Sequence, residues 1–450
     1  MVNFKHKKIV LFFILKSLLT VKMLARRLFT SIRHYGSLSQ SGWNSKLVVA
    51  PPDPIMGLNE VFQRDNHPKK VNLTVGAYRD EKGQPFVLES VREAVGRIAA
   101  DSNYNHEYSP ITGNPEFIQN SQKLIFGNIF GTFSCAQTVS GTGALRVAGE
   151  FINRFHFNKK IYLPSPSWAN HTKVFSDSHL EIGHYSYLKQ TDTILGLKVP
   201  LINEEAMLDD IFNLENGSII LMHACAHNPS GTDPSNETWE KLVKIFRNKN
   251  HIALFDCAYQ GFCSGDLEKD ARTVRMFHRN DIPLIVAQSY SKNFGLYGER
   301  LGCLTFTLGS QTDKEIVDSQ LKALIRPLYS NPPIQGAHIV NYILKEPDLK
   351  SKWLQECASM SFRMIKMRHL LQENLIRVMD VDLNPYFFDY ITEQKGMFCF
   401  TGLQPKHVDH LREVYHIYMT QDGRISITGI NEDNVKYIAD SITRTIYDNL

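Results

Sequence analysis

From residue 134 onward, short apolar runs alternate with stretches whose apolar positions recur every third or fourth residue. Residues 161–163, 218–223, 252–256, 284–289 and 301–308 read as strands buried on both faces, and 142–155 and 237–248 read as helices between them. Doubly buried strands joined by helical crossovers predict an α/β fold, a mainly parallel central sheet covered by helices. Upstream, 71–75 reads as a short strand and 90–100 as a helix. Beyond residue 311 the pattern turns helical at 316–325 and 348–375. Strand-like runs at 397–401 and 425–427 and a closing helix at 435–447 then suggest a smaller α+β domain. Pro327, Pro332 and Pro333 mark the junction. The division expected is a leader at 1–46, an arm and part of the small domain at 47–75, a large domain at 76–330 and the rest of the small domain at 331–450.

Composition sharpens this. With 43% hydrophobic and 21% charged residues the chain is an ordinary globular one, so disorder is not indicated. The net charge of +4 misleads. No acid precedes Asp53, and nine Lys or Arg fall within residues 1–46; without those nine the remainder carries −5. A basic surface for nucleic acid is therefore unsupported. The segment from Met23 to Ser39 contains Arg and Ser, lacks acids and can form a basic amphipathic helix, the pattern of a mitochondrial transit peptide. The apolar run 9–15 is too short to span a bilayer and is followed by Lys16, so no membrane insertion is expected, and translation is expected to be able to start at Met23. The 7 cysteines form no CxxC pair and no metal-type spacing, which predicts buried free thiols in a reducing compartment and no metal site.

The polar residues gather at strand exits, where such a sheet binds ligands. His223 and Asn228 follow one strand, Asp256 and Tyr259 the next, Ser289 and Lys292 the third. Lys292 sits among Ser, Tyr, Asn and glycines in Gln288-Ser-Tyr-Ser-Lys-Asn-Phe-Gly-Leu-Tyr-Gly-Glu-Arg300, placed to have a lowered pKa and act as an amine nucleophile. The plain alternative is a surface lysine in a loop. Ser140-Gly-Thr-Gly143 opens a helix and offers backbone N–H groups to a phosphate, or is simply a cap. Ser289 and Arg300 can complete that cup. Asp256 ends an apolar strand, where a buried carboxylate needs a cation or proton donor; a protonated pyridine nitrogen would serve, as would the next helix terminus. Asn228 and Tyr259 can donate to a ring phenolate. Trp168 can stack on the ring or simply fill a core.

Five ordered motifs then carry a resemblance. The lysine stretch, Ala224-Cys-Ala-His-Asn-Pro-Ser-Gly-Thr-Asp-Pro234, Phe255-Asp-Cys-Ala-Tyr-Gln-Gly261, Ile325-Arg-Pro-Leu-Tyr-Ser-Asn-Pro-Pro333 and Met419-Thr-Gln-Asp-Gly-Arg-Ile-Ser426 together resemble the aspartate aminotransferase family, best in its mitochondrial form, from about residue 48 to the C-terminus. The resemblance implies a pyridoxal 5'-phosphate enzyme of fold type I, located in the mitochondrial matrix, in which Lys292 bonds the cofactor and shuttles the substrate proton. It implies that Asp256 holds the pyridine nitrogen, Tyr259 and Asn228 contact the ring hydroxyl, and Trp168 stacks on the ring. Ser140, Gly141, Thr142, Ser289 and Arg300 match the phosphate cup, with Tyr108 reaching it from the neighbouring subunit of a homodimer. His171 and His223 match positions just behind the cofactor. Arg424 matches the grip on the substrate α-carboxylate, Arg326 the one supplied across the dimer to the distal carboxylate, and Gly76 a close backbone approach to substrate. Small dicarboxylic amino and keto acids are thus the implied partners.

Some positions depart from the family pattern. Ser291 and Phe294 flank Lys292 where Ala and Met are more usual, and Glu89 stands where a proline is usual. The rivals are a relative on the same fold preferring aromatic or kynurenine-like substrates, against which Arg326 argues, and a non-catalytic descendant, against which Lys292, Asp256, Tyr259 and Arg424 argue.

Overall fold

The computed structural model describes Val49 and residues 56–128, 130–193, 195–379 and 386–449. The expected leader, the alternative start at Met23 and the proline-rich stretch of the arm lie outside the described residues.

Seven strands form one sheet: β1 (Thr132–Val139), β2 (Lys160–Ser165), β3 (Glu181–Ser186), β4 (Ile219–His223), β5 (Ile252–Cys257), β6 (Leu284–Ser289) and β7 (Leu301–Leu308). Their spatial order is β1-β7-β6-β5-β4-β2-β3. All neighbours run parallel except β7, which is antiparallel to β1 and β6, so the sheet is mixed but mainly parallel as its doubly apolar strands predict. The strand period of two divides the core into two layers. Leu221, Leu254, Ile285 and Ala287 face one way, onto the helices Ser140–Phe155 and Gln311–Tyr329 through Leu145, Ala148, Ile152, Leu321 and Leu324. Ile220, Met222, Phe255 and Val286 face the other way, onto Glu204–Asn213, Asn236–Lys249 and Arg272–Arg279 through Ile211, Trp239, Phe246 and Phe277.

A third apolar cluster gathers around the long helix Pro347–Val378, which contributes Trp353, Met360, Met364 and Leu371, and it takes in Tyr290, Phe294 and Leu301 from the edge of the sheet. The N-terminal segment belongs with it. Val71–Asn72 pairs in parallel with Ile417–Tyr418, and Arg424–Ser426 pairs with Phe398–Phe400. The strand expected over 71–75 is shorter than its apolar run, because the Asn72 side chain turns back to accept from Thr74 N at 3.0 Å.

Pro327 departs from its expected place. It lies inside the helix Gln311–Tyr329 rather than at a break, and the chain turns only at Ser330, where φ is 69°. The proline sits in the last turn, where it forfeits a single backbone bond, and buried Leu321, Leu324 and Ile325 hold the helix regardless. Pro332 and Pro333 do fall in the gap before the helix Gln335–Lys345. The edge strand β3 and the hairpin Leu188–Asp192/Lys198–Ile202 lack a clean apolar run and escaped the pattern. All seven cysteines are free and buried, as expected. Among the described residues no helix is long and apolar enough to cross a membrane.

Candidate active site

The parallel register brings three strand exits to one edge. His223 is paired with Asp256, Asp256 with Ala287, and Gly302 with Ser289. Because β7 is antiparallel, its start meets the end of β1 at the same edge, with Leu301 opposite Val139. Ser140 N donates to Arg300 O at 2.9 Å, which ties the helix entry to the loop carrying Lys292. Both residues have left-handed backbone, with φ of 62° at Ser140 and 52° at Arg300. Gly302 permits the crossing: a Cβ there would meet Ser140 C at 2.4 Å.

Here a cavity of about 220 Å³ opens. Twelve of the fourteen residues expected to touch cofactor or substrate line it: Gly76, Ser140, Gly141, Thr142, Trp168, Asn228, Asp256, Tyr259, Ser289, Lys292, Arg300 and Arg424. The other two, Tyr108 and Arg326, do not. Tyr108 is 83% exposed, and Arg326 is exposed with its guanidinium donating to Ser330 Oγ. They are the two that the resemblance assigns to a neighbouring subunit.

Lys292 is partly buried, with Nζ 5.5 Å from the centre of the Tyr259 ring. Burial lowers its pKa, the Asp256 carboxylate opposes that, and the Arg300 cation reinforces it. Its loop is pinned from behind. Asn293 O accepts from Trp353 Nε1 at 2.8 Å, and the Phe294 ring stacks on Trp353 with centroids 4.2 Å apart. Asp256 is buried, which alone would raise its pKa, but the hydrogen bond from His171 and the charge of Lys292 hold it below its ordinary value. His171 Nε2 lies 3.0 Å from Asp256 Oδ2 and its Nδ1 lies 2.8 Å from Ser167 Oγ. The His223 ring lies 5.5 Å behind that of His171, and burial pushes its pKa down to about 3, so it is neutral. Burial and the Asp256 charge raise the Tyr259 phenol.

Two features ask for an anion. The helix Ser140–Phe155 has no capping side chain at Val139, so beyond Ser140 N, which donates to Arg300 O, its first-turn N–H groups are left for an anion beside the Ser140, Ser289 and Ser291 hydroxyls. Gly141 keeps that cradle open, since a Cβ there would sit 3.0 Å from Ser289 Cβ. At the other end Arg424, only 4% exposed, has a buried Nε without a partner and its guanidinium 4.2 Å over the Phe398 ring. Asn228 Oδ1 is likewise buried and unpartnered. A phosphate at the helix end, a cationic ring nitrogen at Asp256 and a carboxylate at Arg424 fit this donor set. Phe398, Ser291, Leu145 and Ala258 also line the cavity and were given no contact role from the sequence. Phe398 lies in an ordinary apolar run and carries no signal, whereas Ser291 was visible only as a departure beside Lys292.

A partly buried amine in one cavity with a buried carboxylate and a guanidinium whose Nε is left without a partner defines an enzyme that works through a lysine amine on small anionic substrates. The family model for aminotransferase class I and II matches residues 68–442, and the chain belongs to that family. It is 45% identical over 408 residues to the mitochondrial aspartate aminotransferase of Xenopus tropicalis, covering 89% of this chain and 93% of that one. The cytoplasmic aspartate aminotransferase of Saccharomyces cerevisiae superposes with a TM-score of 0.84 at 40% identity, covering 90% of this chain and 98% of that one. The aromatic-amino-acid aminotransferase of Burkholderia pseudomallei, covalently bound to pyridoxal phosphate, superposes at 0.83 with 36% identity, covering 89% and 99%.

Proposed function

We propose that the chain is an aspartate:2-oxoglutarate aminotransferase, using pyridoxal 5'-phosphate and working as a homodimer in the mitochondrial matrix. The observation that carries this reading is the single cavity holding Lys292, Asp256 and an Arg424 whose buried Nε has no partner and whose Nη2 reaches only the neutral Thr74 O, at 3.3 Å. The uncapped helix at Ser140, with Gly141, Thr142, Ser289 and Arg300, would hold the cofactor phosphate; Asp256 its ring nitrogen; Asn228 and Tyr259 its ring hydroxyl; Trp168 one ring face. Bound there, the cofactor supplies an electron sink through which an amino group is exchanged for a keto group in two half-reactions, ping-pong fashion.

The protein's part is positioning and proton transfer. Arg424 grips the substrate α-carboxylate through a bidentate fork, and Phe398 beneath it keeps the guanidinium flat and dry. A Cβ at Gly76 would come within 2.7 Å of Phe398 Cζ, so glycine lets the backbone close over the substrate. Lys292 Nζ, its pKa lowered, takes the proton from the substrate Cα and redelivers it. His171 fixes the Asp256 carboxylate in its charged form. Tyr108 and Arg326, exposed on this chain, serve the neighbouring subunit, where Arg326 reads the distal carboxylate. On this reading residues 76–330 form the large domain, and 331–450 with the described residues 56–75 the small one, which closes over a dicarboxylic substrate and excludes water.

The test is the visible absorption spectrum of the purified protein before and after adding aspartate. A bound-cofactor band that shifts on addition, with oxaloacetate formed stoichiometrically, is expected. A colourless protein, or one whose band ignores aspartate, overturns the reading.

A further inference from the structure

A second cavity, of about 490 Å³, lies between the helix Met56–Arg64, the strand Val71–Asn72 and residues 428–434. Its walls contain three cations, Lys70, Arg79 and Lys82, and no Asp or Glu. None of the three has a carboxylate partner among the described residues. Lys70 is held in place by neutral acceptors, with Nζ donating to Phe62 O at 2.9 Å and Asp65 O at 2.7 Å. Arg79 and Lys82 ride on a tight hairpin, which is closed by the bridge of Arg79 to Pro85 and by Asp80 N donating to Gln84 O at 2.9 Å. The nearest acid of the hairpin is occupied: Asp80 Oδ1 accepts from Lys82 N and Gln84 N. Glu81 pairs with Arg363 at 3.6 Å.

Most other polar groups of the wall are amides, beside the apolar Phe62, Val71 and Val75, and several of those amides are held in place. Asn431 and Asn434 accept each other's backbone N–H at 2.9 and 2.8 Å, and Asn72 Nδ2 donates to Asn59 Oδ1 at 2.8 Å. Three like charges around one concave space without an acid in its wall repel one another unless something negative lies between them. We propose that this cavity binds a compact multivalent anion of phosphate or polycarboxylate chemistry, held by Arg79 and Lys82 over the fixed ammonium of Lys70. The same segment continues to Gly76 in the active-site cavity, so binding there must be told apart from binding at the active site.

Calorimetric titration of the full-length holoenzyme with inorganic pyrophosphate, and separately with citrate, makes the distinction. A binding event of one per chain is expected with at least one probe, and the Arg79→Gln/Lys82→Gln double variant loses it while kcat and KM for aspartate stay within about twofold. Lys82 is exposed, so Lys82→Glu leaves the fold intact and is expected to weaken that event at least about tenfold, the order of one charge-assisted contact. A response to pyrophosphate alone assigns phosphate chemistry, and one to citrate alone assigns polycarboxylate chemistry. Isotherms that superimpose for the parent and both variants overturn the proposal.

Discussion

His171 Nε2 lies 3.0 Å from Asp256 Oδ2, and the imidazole is wholly buried. The contact decides the state of the carboxylate, because burial alone would raise the pKa of Asp256 and the histidine reverses the sign. Replacing His171 by Leu leaves Asp256 without its donor. A lost hydrogen bond to a charged group is worth about 1.5–3 kcal/mol, so kcat is expected to fall roughly ten- to a hundredfold. The acid limb of the pH–rate profile should move upward, as Asp256 then protonates more readily. An unchanged acid limb would show that His171 only fills space.

Lys292→Ala removes the amine that moves the substrate proton and is expected to abolish turnover while leaving the fold intact, since the loop is held by Trp353 and Phe294 rather than by the lysine. Circular dichroism and steady-state assay of the same preparation check both halves. In the parent the lowered pKa of Lys292 means that the folded state binds fewer protons than the unfolded one between that value and 10.5. This residue's share of stability therefore rises with pH through that window in the cofactor-free protein. The variant should lack that rise.

Phe294 is fully buried and stacked on Trp353, 17° from parallel. Phe294→Ala is expected to cost about 3–5 kcal/mol in chemical denaturation. Phe294→Met should cost less than about 1.5 kcal/mol because methionine refills the space. Similar losses for both would mean that the stack, rather than the filled volume, stabilises the loop.

The sheet was legible because its strands are buried on both faces, so β6 and β7 have the predicted bounds and β2, β4 and β5 differ by a residue or two at their ends. What escaped lacks that pattern: β3 is an edge strand with exposed positions, and Pro327 is a breaker overruled by packing. For the site, residue type at strand exits was enough to place Lys292, Asp256, Tyr259 and Asn228 at one edge. Phe398 was not legible, since its closeness to Arg424 depends on the pairing of Phe400 with Arg424 across a sheet formed late in the chain. No periodicity records that pairing.

Asp65 joins the N-terminal segment to the C-terminal region. It accepts from His67 N at 2.8 Å and from Tyr418 Oη at 2.8 Å, and lies 2.7 Å from His416 Nδ1. The His67 N–H chiefly holds its pKa down to about 2. A carboxylate with a depressed folded pKa contributes stability that is fully present above the ordinary value of 3.8 and is lost as pH falls through about 2. Asp65→Asn should therefore lower the melting temperature at neutral pH and narrow its gap to the parent as pH drops through that window. A gap that stays constant with pH would rule out the ionised Asp65 as its cause.

Arg424 and Arg326 divide substrate recognition in the proposed dimer, and their variants should fail differently. Arg424 is buried in the cavity, so Arg424→Gln leaves any α-carboxylate unpaired and is expected to penalise aspartate and phenylalanine alike. Arg326 is exposed on its own chain and would meet only the distal carboxylate in the neighbouring subunit, a group that phenylalanine lacks. Arg326→Leu is expected to lower kcat/KM for aspartate by roughly ten- to a hundredfold or more, the worth of a lost charge-assisted fork. Phenylalanine should change by less than about threefold and can gain, because the leucine no longer leaves a buried charge against an apolar ring. Mixing the Arg326→Leu and Lys292→Ala chains isolates the geometry. If Arg326 acts across the interface, the Lys292→Ala chain supplies an intact Arg326 to the partner that keeps its lysine, and heterodimers recover up to about one active site in two. Equal losses for both substrates, with no recovery on mixing, would place Arg326 outside the site altogether.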